Sequence, residues 1–206
     1  MNKVDGYESR ATIGDLEVRA NEDGSHTIRG LAAVYDSLSE NLGGFREIIE
    51  PGAFEESNLN DVRALFNHDS NFVLGRTTSK TLRLQRTQAG LRFSVDVPNT
   101  RTIMDMVVEP IKRGDVSQAS FGFTVGRGNE SWDENDEGVI IRTLHRIQRV
   151  FDVSPVTFPA YADTSVAVRS LDKVKHELHG READEIKRET EARARVVTLV
   201  ERGIRI

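Results

Sequence analysis

The sequence predicts an α+β fold that is mainly β: a closed or nearly closed β-barrel with attached helices and a charged, helical C-terminal tail. Three observations predict it. Apolar residues alternate with a period of two along most of the chain before Leu171. A single body segment, 100–113, switches to helical spacing. Beyond Leu171 the chain becomes highly charged, free of aromatics and rich in helix formers. Strands and helices do not take turns along the chain, so a doubly wound parallel sheet is not expected. The domain reading is a body at 1–170 and a helical or disordered extension at 171–206.

The elements follow in order. "LEVRA" and "HTIRGLAAVY" flank "NEDGS", whose central Asp-Gly marks a hairpin. "FREII" begins as a strand that Pro51 and Gly52 stop, and "GAFEESN" suits a short helical turn. "VRALFNHD" is expected as a strand with Val62, Ala64, Phe66 and His68 on one face, ending at the turn formers Asp69, Ser70 and Asn71. "TLRLQRTQAGLRFSVDVP" is the clearest hairpin, turning around Ala89-Gly90. In 100–113, Ile103, Met106, Val107 and Ile111 share a helical face. Thr100 suits the N-cap and Gly114 the C-terminal cap, and Pro110 is expected to kink or shorten the last turn.

"DVSQASFGFTV" follows as a strand. Ala119, Phe121, Phe123 and Val125 fall on one face, and Gln118, Ser120, Gly122 and Thr124 on the other. "GRGNESWDENDEG" is expected as a polar hairpin loop, and "VIIRTLHRIQRVFDVSPVTFPAY" as one or two long strands broken at Pro155 and Pro159.

Bulk properties narrow the function. The chain has 206 residues, a formal net charge of −5 and no cysteine. Disulfides, thiolate metal sites and a cysteine nucleophile are therefore excluded. No basic surface for nucleic acid is expected, and no segment has the apolar length to span a bilayer or serve as a secretory signal. The expectation is a soluble, intracellular protein with no nucleic-acid or membrane partner. No HExxH, EF-hand or phosphate-binding glycine loop occurs, so no metal or other cofactor is expected.

Two side chains stand out. Ser120 is held by apolar neighbours on the opposite face, and Gly122 beside it offers room for a substrate backbone or a developing oxyanion. His68, between Asn67 and Asp69 at a strand end, supplies an imidazole that exchanges protons near neutral pH. Serine needs such a base, and the base needs an orienting group. Asp152 and His145 are the candidates. In an unbroken strand they have opposite parity, so at most one faces the site unless a bulge intervenes.

The segments "GLAAVYDSLSE…FREIIEPGAF", "LFNHDSNFVLGRTTSKTLRL", "GDVSQASFGFTV" and "DVSPVTFPAYADT" resemble, in order and spacing, the prohead proteases of tailed bacteriophages. These serine endopeptidases are related in fold to the herpesvirus assemblins, which have a β-barrel surrounded by helices. The resemblance implies His68 as base, Ser120 as nucleophile and Asp152 as third member, with His145 the alternative because the assemblins use a second histidine. Backbone groups near Phe121 and Gly122, or Gly75 and Arg76 in the "LGR" pattern, would serve the oxyanion or substrate. The implied partners are the major capsid protein with its scaffolding segment and the enzyme itself, through self-cleavage or a homo-oligomer. The implied location is the procapsid in the host cytoplasm, and the tail would target the enzyme there or be removed.

Overall fold

The computed structural model describes residues 6–12 and 16–158, with single positions at 171, 174 and 188. The chain divides into two compact units, Met1–Ala167 and Val168–Ile206. All described strands belong to the first, and the expected helical extension lies almost wholly outside the described residues.

The strands are β1 (Glu8–Thr12), β2 (Glu17–Ala20), β3 (His26–Val34), β4 (Arg46–Ile49), β5 (Arg63–Phe66), β6 (Asp69–Arg76), β7 (Leu82–Thr87), β8 (Gly90–Val97), β9 (Gln118–Val125), β10 (Glu130–Glu134), β11 (Ile140–Leu144) and β12 (Ile147–Val156). They form three sheets, ordered β1-β9-β12-β5-β6, β10-β11-β4 and β2-β3-β8-β7. The mainly β expectation holds. Among the described residues, though, the strands form three sheets and no closed barrel, and the named helical elements make up the segment 101–113.

The first and third sheets meet by packing. A Cβ added to Gly75 of β6 would stand 2.5 Å from Val95 Cγ2 on β8, so the missing side chain lets the two sheets touch. The core lies between the sheets. On β9, Ala119, Phe121 and Phe123 are fully or almost fully buried. Phe121 sits edge-on to Phe54 at 5.6 Å, and each such phenyl contributes roughly 1.5–3 kcal/mol by leaving water.

The helical segment 101–113 closes part of this core with Ile103, Val107, Val108 and Ile111. Its caps are as the sequence predicts: Thr100 Oγ1 accepts from Ile103 N, and Gly114 ends it at φ 82°. Met106, expected on the buried face, is about half exposed, and Val108 is buried instead. The cause is a π-helical turn at Met104–Val108, which widens the ladder ahead of Pro110. Proline supplies no N–H and crowds the carbonyl four residues back, so the wider turn lets the segment continue to Arg113.

Three strands depart from expectation. β6 occupies positions expected to form a turn. β10 lies within the expected polar loop and pairs with β11. β1 was not expected at all, and it pairs antiparallel with β9. Likewise, the long final strand breaks at 145–146, not at Pro155, which lies inside β12 opposite Ala119.

β1 escapes hydrophobic patterning because its buried face is ionic. Arg10 Nε donates to Glu47 Oε1 at 2.9 Å and Arg10 Nη2 to Glu8 Oε2 at 2.6 Å. Arg142 of β11 donates to Glu8 at 2.6 and 2.9 Å, to Glu47 at 2.9 Å, and to Glu130. Glu8, Arg10, Glu47 and Arg142 are each at most 5% exposed. Burial alone would raise the Glu8 carboxyl's pKa. The hydrogen bond from Arg142 and the charges of Arg10 and Arg142 outweigh it and hold the group below the usual glutamate range.

Arg142→Met is therefore expected to destabilise the protein by about 3–5 kcal/mol, because buried carboxylates lose their shared cation; chemical denaturation measures it. A carboxyl with a lowered folded pKa contributes stability that is present above its unfolded pKa and lost as pH falls through the folded value. The Glu8 contribution should therefore be intact at neutral pH and disappear on acidification below the usual glutamate range, read as unfolding free energy against pH.

Candidate active site

Three strands of the first sheet lay down a floor of small residues. Across β1, β9 and β12, Ala11 stands opposite Ser120 and Ser120 opposite Ser154. In the next row, Ser9 faces Gly122 and Gly122 faces Asp152. Asp152 reaches this face because β12 is irregular. Val150 pairs with Phe123 on the core side, yet Asp152 pairs with Gly122, leaving Phe151 as an extra residue. Without that bulge Asp152 would oppose Phe121 and point into the apolar core. The bulge re-aims the carboxylate.

His68 arrives differently from expectation. β5 ends at Phe66, which pairs with Asp69 of β6, so Asn67 and His68 form a two-residue turn. Both have positive φ, 54° and 56°, the pattern of type I′ hairpins, which Asn and His tolerate better than most residues. Asn67 is clamped to the end of β12: its N–H donates to Pro155 O at 3.0 Å, and its side chain exchanges hydrogen bonds with Thr157. The turn is thus fixed against the strand that carries Asp152.

The three side chains meet. His68 Nε2 lies 2.7 Å from Ser120 Oγ, and His68 Nδ1 lies 2.6 Å from Asp152 Oδ1. Ser120 is fully buried and Asp152 is 4% exposed, whereas the imidazole is 19% exposed.

Two further residues complete the cluster, and neither was found from the sequence. Ser154 Oγ donates to Asp152 Oδ1 at 2.8 Å, and Tyr7 Oη donates to Asp152 Oδ2 at 2.8 Å. Burial first, then the charge of Asp152 and the hydrogen bond to it, push the Tyr7 phenol well above its ordinary range, so it remains a proton donor. Ser154 was legible in principle, since residues two apart share a strand face. Tyr7 carried no signal, because the strand it precedes was not recognised.

The space beside Ser120 has another use than the one expected. A Cβ on Gly122 would stand 2.6 Å from Tyr7 Cε2 and collide with the Tyr7 hydroxyl and Asp152 Oδ2. Gly122 makes room for the carboxylate and its phenol. Phe121 and Gly122 lie within β9, paired on both sides by β1 and β12, so their N–H groups run along the sheet toward neighbouring strands. Gly75 and Arg76 end β6, where they pair with Ala64 and Arg63 of β5. Gly75 serves sheet packing, and Arg76 forms a two-pronged pair with Asp61 at 2.7 and 2.9 Å. His145 lies between β11 and β12, exposed at the surface, with Nδ1 2.8 Å from Glu50 Oε2. The side chains of Arg76 and His145 thus bond to Asp61 and Glu50, away from Ser120 and His68.

Gly122→Ala is expected to destabilise the protein by about 1–3 kcal/mol through overpacking. It should also separate Tyr7 from Asp152, effects read by chemical denaturation and by the structure of the variant.

Comparison with known proteins agrees with the resemblance in the sequence. A structural match to the bacteriophage T4 capsid assembly protease, gp21, has 10% identity and a TM-score of 0.38, covering 71% of this chain and 98% of that one. No curated protein matches the sequence. The family model for caudovirus prohead serine proteases matches residues 14–177, most of the chain and all three residues of the hydrogen-bonded trio. The chain belongs to the caudovirus prohead serine protease family.

Proposed function

We propose that the protein is a serine endopeptidase of procapsid maturation, with Ser120 as nucleophile, His68 as general base and acid, and Asp152 as the group that orients the imidazole. The observation that carries this reading is the continuous hydrogen-bonded chain from Ser120 Oγ through both imidazole nitrogens to Asp152. In the reaction, Ser120 Oγ attacks the peptide carbonyl carbon while His68 Nε2 takes the hydroxyl proton. The tetrahedral species collapses, the C–N bond breaks, and the imidazolium returns its proton to the leaving amine. Water then attacks the acyl-enzyme with His68 again accepting a proton, and Ser120 is regenerated. Asp152 keeps the proton on Nδ1 throughout, leaving the Nε2 lone pair toward Ser120.

The proposed substrates are the scaffolding segment of the major capsid protein and, by self-cleavage, the enzyme itself, a reading that family membership supports. Ser120 has no exposed surface. A carbonyl therefore reaches Oγ only after the groups covering it move aside, which suits an enzyme held latent until it is packaged in the procapsid.

Two variants test the reading in co-expression with the capsid precursor, cleavage fragments being followed by mass spectrometry. Ser120→Ala should lower the cleavage rate by roughly a million-fold if the trio acts as one unit; cleavage at the wild-type rate would refute it, as would a wild-type chain that never cleaves. Asp152→Asn should lower it by about ten-thousand-fold, because the amide favours the wrong imidazole tautomer.

A further inference from the structure

Asp152 has more partners than orienting a histidine requires. Oδ1 accepts from Ser154 and faces His68 Nδ1, while Oδ2 accepts from Tyr7. Tyr7 and Ser154 oxygens also flank His68 Nδ1, each at 3.5 Å. A carboxylate turns readily about its last side-chain bond, whose torsional wells are broad. Anchors on both oxygens remove that freedom. Because both hydroxyl hydrogens point to Asp152, the Tyr7 and Ser154 oxygens present only lone pairs to Nδ1. Three acceptors around one ring nitrogen select the tautomer protonated there.

We propose that Tyr7 is a positioning residue for the serine chemistry: its hydroxyl locks the plane of the Asp152 carboxylate and, through it, fixes the His68 tautomer that leaves Nε2 free to deprotonate Ser120. This inference rests on the peptidase reading above. It makes the N-terminal strand part of the catalytic apparatus. Tyr7 stands next to Glu8 of β1, which the buried Arg10–Glu47–Arg142 network holds in place. The ring itself packs on Phe151, the bulge residue, with centroids 5.8 Å apart. Gly122 provides the gap in which phenol and carboxylate meet. The same local device that turns Asp152 toward the site therefore also seats the group that holds it.

The test is Tyr7→Phe in the full chain, which keeps the ring and removes one oxygen. The melting temperature should stay near the wild-type value, since the contact with Phe151 is kept. The turnover of capsid precursor should fall about tenfold with the Michaelis constant little changed, the size expected for one lost hydrogen bond to a charged group. A readout independent of turnover is the far-downfield proton resonance of His68 Nδ1–H against Asp152, which should move and exchange faster in the variant. Turnover and resonance both unchanged in Tyr7→Phe, with Ser120→Ala inactive, would overturn the role of Tyr7 and leave the peptidase reading standing. Slower turnover explained by a lowered melting temperature, with the resonance unmoved, would make Tyr7 a packing residue only. Full activity in Ser120→Ala would instead remove the reading on which this one rests.

Discussion

A carboxylate 4% exposed inside a sheet is tolerated only if donors surround it, because an unpaired buried charge costs several kcal/mol. Asp152 is that group, and much of the local architecture serves it. The bulge at Phe151 turns it off the apolar face, Gly122 gives it space, and Tyr7, Ser154 and His68 supply its hydrogen-bond partners. The functional arrangement and the electrostatic necessity are the same arrangement: the imidazole is oriented by being one of the partners the charge requires.

The cluster is assembled from elements distant in sequence, and each is held by its own device. The turn that presents His68 keeps two non-glycine residues at positive φ, a conformation costing of order 1 kcal/mol or more for each residue. Asn67, bonded to Pro155 and Thr157, keeps it in place. The edge strand that follows Tyr7 has no apolar side chain on its buried face, and Glu8 and Arg10 secure it by ion pairs instead. Buried ion pairs of this kind add little net stability over apolar packing but fix register, since any slip leaves a charge unpaired.

The legible and illegible parts of the sequence divide along physical lines. The face of β9 that carries Ser120, the hairpin of β7 and β8, and the caps at Thr100 and Gly114 follow from periodicity and local backbone chemistry, and the structure has them. β1 was invisible because its inward positions are Glu8 and Arg10, the inverse of a hydrophobic pattern. The Met106 and Val108 exchange comes from a π-turn that periodicity does not encode. Strand parity left Asp152 and His145 both open as the third group and the resemblance preferred Asp152, whose facing rests on a bulge that only the pairing with β9 locates. The role of Gly122 was misassigned because the residue filling its space, Tyr7, lies 115 positions earlier in the chain.

The central claim is that the buried charge of Asp152 dictates which nitrogen of His68 carries the proton. Nitrogen-15 NMR of the imidazole, on protein labelled at histidine and at a pH where the ring is neutral, measures this directly. The account predicts a protonated Nδ1 and a bare Nε2. A proton on Nε2 with a bare Nδ1 would mean that the carboxylate does not govern the ring, and would contradict it.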